Sequence, residues 1–348
     1  MRPLPAEDLD QVLSATSDLW GELRGAQLFL TGGTSFLGRW LVESFLYANA
    51  RRGLGARLVM LTRHPTAFAG QAPHLVNDPA LTLLGSDLEN FPFPEPCSHI
   101  LHAGRVEDAD PLRYLNRNLA GTERVLEFAR LSGAQRFVYT SSGSFYGPRP
   151  PEISHIPEDF SGAPDPLGPD AAKGMMKRAC EFVSAQFARR YGLRLCIARC
   201  FTFLGPHLPL NIQLAAGNFI RDALAGGPIR VEGDGTPYRS YLYAADLAIW
   251  LWTLLLRGTP GRAYNVGSEQ SVTIAELAHR VAAHWDPPLE VTIARAPQPG
   301  KPPESYVPAT ARARQELGLR ETVPLDEALA RTLRWYQGQS VADSREAD

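Results

Sequence analysis

Three glycines and an arginine in the first quarter of the chain have the types and spacing to hold a phosphate-bearing ligand. Gly32, Gly33 and Gly38 follow the apolar run Gln27-Leu28-Phe29-Leu30-Thr31 and lead into Arg39-Trp40-Leu41-Val42-Glu43-Ser44-Phe45-Leu46, which has helical periodicity. A strand that enters a helix through such a turn leaves free N–H groups at the helix start, where a pyrophosphate is favoured. Gly32 permits the sharp turn and Gly38 lets the helix pack close on the sheet. The alternative is a tight βα turn that binds nothing. Arg63 ends the next apolar run, where an acidic residue would bond an adenosine ribose. A guanidinium there can pair with a 2′-phosphate, which favours NADP(H) over NAD(H) unless the arginine is simply solvated. Farther on, Lys173, Lys177 and Glu181 stand at i, i+4 and i+8 on one helix face. Read from the residues alone, that is a solvated stripe with an i,i+4 ion pair. Cys97, Cys180, Cys196 and Cys200 have no CxxC spacing and no accompanying histidine cluster, so they read as buried reduced thiols rather than a metal or redox site.

These groups need a scaffold, and the chain is long enough for one. With 348 residues, 44% of them hydrophobic, it can bury a large α/β core and carry a second, smaller lobe. A net charge of -2 without a basic run excludes nucleic acid as the main partner. The longest apolar stretch, Leu247 to Leu256, is too short to span a bilayer and reads as a buried helix. Residues 1–25 hold a charged, helix-like segment (Glu7 to Leu23) without a signal-peptide core, so a soluble cytoplasmic protein is expected. The strands expected after the first are 56–61, 81–88 (closed by a turn with Asp87), 99–104, 136–142 and 194–203, mostly continuous apolar runs suited to a parallel sheet covered on both faces. Pro148 to Pro169 reads as an ordered surface loop, Asp170 to Tyr191 as a helix and Pro297 to Pro308 as a linker. The stretch 337–348 reads as a disordered polar tail.

The turn Thr31-Gly32-Gly33-Thr34-Ser35-Phe36-Leu37-Gly38 resembles the TGxxGxxG fingerprint of the extended short-chain dehydrogenase/reductases, the nucleotide-sugar epimerases and dehydratases. Ser141-Ser142-Gly143-Ser144-Phe145-Tyr146-Gly147 resembles that family's SSxxVYG strand end. Leu204-Gly205-Pro206 resembles its junction to the substrate domain, and the run from Ile229 to Leu247 resembles its RxxxYVxDxA pattern. The resemblance covers about residues 26 to 336. It implies a doubly wound parallel sheet (Rossmann-like) in residues 1–205, with parts of 240–270 returning to it, and a smaller C-terminal α/β substrate lobe in 206–336.

By the same resemblance the cofactor is NAD(P), held by Gly32, Thr34, Ser35, Phe36, Leu37 and Gly38, by Arg63, Asp87, Leu88 and Ala103, and by Lys177 at the nicotinamide ribose. Asn118 matches an asparagine that begins the helix before the catalytic strand, or else caps that helix. Ser142 matches the catalytic serine that bonds the reacting substrate oxygen. Ser144, Asn218 and Arg239 are expected against the substrate, with Arg239 on its pyrophosphate. Asp246 reads as a helix cap.

Three departures qualify the match. Ser35 stands at the middle glycine of the fingerprint. Gly143 and Ser144 replace the Asp-Glu pair of sugar 4,6-dehydratases, so elimination of water by that route is not expected. In the pattern YxxxKxxxE, Lys173 occupies the place of the catalytic tyrosine. The positive charge of Lys177 and of an oxidised nicotinamide would favour the neutral amine at Lys173, allowing it to accept a proton. The expected function is a nucleotide-sugar epimerase, ketoreductase or isomerase acting as a homodimer. A non-redox isomerase or mutase and a catalytically silent binder of nucleotide sugar or NAD(P) are the alternatives.

Overall fold

The computed structural model describes residues 2–211, 214–300 and 302–346. Six strands come first in the main sheet: β1 (Gln27–Thr31), β2 (Arg57–Thr62), β3 (Leu81–Gly85), β4 (His99–His102), β5 (Arg136–Ser142) and β6 (Leu195–Cys200). Four short strands lie outside it, β7 (Phe203–Leu204), β8 (Ile229–Val231), β9 (Tyr238–Ser240) and β10 (Leu242–Tyr243), before β11 (Ala263–Val266) returns to its edge. The order is β3-β2-β1-β4-β5-β6-β11, every neighbouring pair parallel. The strand order reverses between β1 and β4, and a crevice opens there at the carboxyl ends of the strands.

The continuous apolar strands arise because both faces are covered. Leu28 and Leu30 of β1, with Leu58 and Met60 of β2, enter one core, while Phe29, Val59 and Leu61 point into the other. This is the period of two expected of a strand buried on both sides. Helices cover the two faces: α2 (Phe36–Arg52), the short α3 (Pro65–Gln71) and α4 (Pro73–Val76), α5 (Pro111–Leu131), α6 (Ala171–Tyr191) and α8 (Ala244–Arg257), with α1 (Ala6–Ala15) packed on α2 and α8, while α7 (Ala215–Leu224) packs on β8 in the smaller lobe. The apolar run at 247–256 is the buried body of α8. Among the described residues no helix is long and apolar enough to cross a membrane.

Helix ends follow their local chemistry. Asp110 caps α5, accepting from the N–H groups of Leu112 at 2.8 Å and Arg113 at 2.9 Å, with Pro111 at the first helical position. Gly53 and Gly192 end α2 and α6 in the left-handed conformation. The smaller lobe adds β12 (Ser271–Thr273), β13 (Val291–Ile293) and β14 (Ser305–Tyr306), paired as β12-β9-β14 and β13-β8.

Several expectations are corrected. The first helix stops at Ala15, and a separate 3-10 turn spans Trp20–Leu23. The proline-rich linker contains β14, and Pro308 bridges Ile156. The closing helix α11 (Leu325–Glu346), preceded by α9 (Ile274–Ala282) and α10 (Ala311–Leu317), runs through most of the stretch read as a tail, of which Ala347 and Asp348 lie outside the described residues. Asp246 is not a helix cap. Its buried carboxylate accepts from the N–H groups of Thr322 at 2.8 Å and Val323 at 3.1 Å, tying α8 to the segment that leads into α11.

Candidate active site

A cleft of about 840 Å³ opens over the switch between β1 and β4. Gly32, Thr34, Ser35, Phe36 and Leu37 form one wall, Arg63, Asp87, Leu88 and Ala103 another, and Arg239 faces them from the smaller lobe. Gly32 has φ +76°, and a Cβ there would stand 2.6 Å from the backbone of Ala103. A Cβ on Gly38 would overlap the carbonyl of Gly32, so this glycine packs α2 against the turn rather than lining the cleft. Beneath the turn, Gly104 donates its N–H to Thr31 Oγ1 at 2.8 Å, and Thr31 meets His102 Nδ1 at 2.8 Å. His102 Nε2 reaches Thr122 of α5 at 3.2 Å. Burial pushes the His102 imidazole down to about 3, so it is neutral.

Ser35 explains how a serine fits the middle glycine position. Its hydroxyl accepts from Gly38 N–H at 3.2 Å and donates to Gly32 O at 2.8 Å, closing the turn as the N-cap of α2. Asp87 is also engaged locally. Its carboxylate accepts from the Asn90 side chain and from the N–H groups of Glu89 and Asn90, and these bonds, the Asn90 side chain foremost, hold it below the usual carboxylate range.

The strand end at β5 carries the second group of predicted residues. Ser142 Oγ accepts from Ser144 N–H at 3.2 Å and from Ser144 Oγ at 3.0 Å. Lys177 is buried on α6, with its ammonium 2.8 Å from Thr140 O and 3.3 Å from Tyr139 Oη. Burial pushes it down to about 8. Lys173, one turn earlier, keeps an exposed side chain, yet the surrounding protein and then Arg105 of the cleft wall lower its pKa from the ordinary lysine value. Glu181 does not close the stripe with Lys177. Its carboxylate binds Arg199 in a fork, Nη2 at 2.8 Å and Nε at 3.1 Å. Arg199 donates in turn to Tyr146 Oη at 2.9 Å, and Tyr146 donates to Asn265 Oδ1 at 2.7 Å. The tyrosine of the strand-end motif is therefore consumed in a buried brace that joins the turn after β5 to α6, β6 and β11.

Family membership rests on the sequence pattern described as "NAD dependent epimerase/dehydratase family", which matches residues 28–267. The chain belongs to this family. A UDP-glucuronic acid decarboxylase of Arabidopsis thaliana is 27% identical over 310 residues, 88% of this chain and 68% of that one. A dTDP-glucose 4,6-dehydratase of Streptomyces antibioticus is 26% identical over 322 residues, 89% of this chain and 92% of that one. An epimerase from Methanothermobacter thermautotrophicus shares the fold, with a TM-score of 0.76 at 22% identity over 96% of this chain and 98% of that one.

Within the family fold, two predicted residues are misplaced. Asn218, expected against the substrate, does not line the cleft: it lies within α7, and its Oδ1 accepts from Arg221 at 3.2 Å. Asn118 neither begins nor caps α5. It lies in mid-helix, where its amide donates to Val106 O at 2.8 Å and Tyr114 O at 2.7 Å and its Oδ1 accepts from Val106 N–H at 2.9 Å, pinning the loop after β4. Ser142, Ser144, Lys173 and Lys177 sit beside the cleft and not in its walls. Sequence reasoning missed Tyr306, whose ring lies tilted by 38° against the cleft residue Phe201 with centroids 4.7 Å apart. It missed His102 as well, for which the only signal was a polar residue ending an apolar strand.

Proposed function

We propose that the chain modifies a nucleotide sugar, as an epimerase, ketoreductase or isomerase, with NAD(P) bound in the cleft. The observation that carries this reading is the single cleft shared by the glycine turn of the sheet domain and Arg239 of the smaller lobe. The turn fits a dinucleotide: Gly32 leaves room that a side chain would fill, and Thr34 to Leu37 bring the start of a 17-residue helix to the wall. Residues 1–205 hold the dinucleotide in this reading, and 206–336 mainly hold the sugar.

When bound, NAD(P)+ supplies a hydride acceptor. Ser142 donates a hydrogen bond to the sugar oxygen under reaction. Lys173 in its neutral form takes the proton of that hydroxyl, and Arg239 pairs with the substrate pyrophosphate. Thr140 O and Tyr139 Oη occupy two of the three donors of Lys177, leaving one for the ribose. The family is NAD dependent, so a preference for NADP(H) rests on Arg63 alone. Calorimetric titration of NAD(H) and NADP(H) against the parent and Arg63→Ala tests it, and unchanged NADP(H) binding by the variant would remove the assignment.

The lysine at position 173 also favours a second reading, a binder without turnover. Screening nucleotide sugars by ligand-observed NMR, followed by turnover assays of Ser142→Ala and Lys173→Ala, separates the two. Turnover lost in both variants with ligand binding intact supports the enzyme. We also infer a homodimer, for which exposed Phe182 on α6 offers an apolar contact; sedimentation of Phe182→Asp, expected to be monomeric, tests it.

A further inference from the structure

Tyr306 lies outside the stretch matched by the family pattern, yet its phenol stands over Gly143, the residue that follows Ser142. β14 runs parallel to β9 with Tyr306 opposite Arg239, and the guanidinium carbon of Arg239 is 6.0 Å from the Tyr306 ring centre. The Tyr306 hydroxyl lies against the chain at Gly143, between Ser142 and Ser144. Gly143 makes the room for it: a Cβ at that position would stand 2.5 Å from Tyr306 Oη. The phenol thus fills the space of a side chain at 143, the place of the first carboxylate of the dehydratase pair.

The geometry points to Tyr306 as a catalytic residue whose O–H donates, together with Ser142, to the substrate oxygen that changes between alcohol and ketone. It supplies from the smaller lobe the phenol that α6 lacks at position 173. The O–H bond of Tyr306 stays intact throughout, and the proton of the sugar hydroxyl goes to Lys173. Burial pushes the Tyr306 phenol up to about 12, so near neutrality it is a donor and not a base. Tyr146 cannot take this part, because Arg199 and Asn265 already engage its hydroxyl.

The inference rests on the nucleotide-sugar reading, and the test separates the two. 3-Fluorotyrosine incorporated at position 306 is followed by fluorine NMR during titration with a panel of nucleotide sugars that includes UDP-glucose and dTDP-glucose, alongside calorimetry. A resonance that shifts on binding supports the assignment. Binding without a shift overturns Tyr306 and leaves the functional reading standing; binding of no nucleotide sugar overturns both. With a turned-over substrate, Tyr306→Phe lowers kcat about 100-fold or more, the usual loss of a preorganised donor, while KM changes less than about threefold. Gly143→Ala, which displaces the phenol without removing it, causes a comparable loss, and the double variant is no worse than either single one. A wild-type kcat in Tyr306→Phe would overturn the assignment.

Discussion

Lys173 carries the proton transfer in the proposed chemistry. A phenol becomes a base by forming an anion, whereas an ammonium becomes one by losing its charge, so a nearby cation favours the base form of either while burial favours only the neutral amine. At Lys173 the surrounding protein and then Arg105 favour the neutral amine and outweigh Glu107, which favours the ammonium. Activity that needs neutral Lys173 therefore rises with pH as its proton leaves, along a limb that lies below the ordinary lysine value. Lys173→Arg keeps the charge but cannot deprotonate near neutrality. It is expected to bind both ligands and to turn over no faster than Lys173→Ala, and a pH–rate profile of the three proteins checks this. Activity retained in Lys173→Arg would show that the group is a charge partner rather than a proton carrier.

At the next scale, the turn between β1 and α2 shows how a local pattern tolerates substitution. Ser35 exchanges the freedom of glycine for an N-cap, and Ser35→Ala should cost about 1 kcal/mol in urea unfolding, with Ser35→Gly costing only a few tenths. His102 ties β4 to β1 and α5, and its depressed pKa has a stability consequence. The native imidazole stays neutral down to about 3 while the unfolded one takes up a proton below 6.5, so stability present above 6.5 is lost as pH falls. At about pH 5 this removes about 2 kcal/mol that His102→Gln does not lose, and paired unfolding curves at pH 7 and pH 5 would detect the difference. The same elements show what was legible in the sequence. The glycine turn, the parallel strands and the buried α8 were readable because period and turn chemistry act over a few residues. Tyr306 was not, because its place over Gly143 is set by β14 pairing with β9, far along the chain, inside a proline-rich stretch that carries no apolar period. Asn118 and Asp246 were misread for a related reason. Both look like caps, but each bonds a loop brought to it only by tertiary packing.

Across the whole molecule, residues of both lobes line one cleft, and this makes the proposed assignments separable. Arg239 stands on β9, where its guanidinium donates to Tyr238 O at 2.8 Å and has Glu304 3.7 Å away. Arg239→Ala should weaken nucleotide-sugar binding by about 1.5–3 kcal/mol, the worth of a hydrogen bond to a charged group, and leave dinucleotide affinity unchanged. Equal losses for both ligands would indicate damage to the fold. The central claim, sugar chemistry that depends on the nicotinamide cofactor, is tested most directly by proton NMR of a nucleotide-sugar panel incubated with protein stripped of dinucleotide and then reloaded with NAD+ or NADP+. New sugar resonances are expected to grow only with the reloaded protein. Conversion at the same rate by the stripped protein, or no conversion by either form, would contradict it.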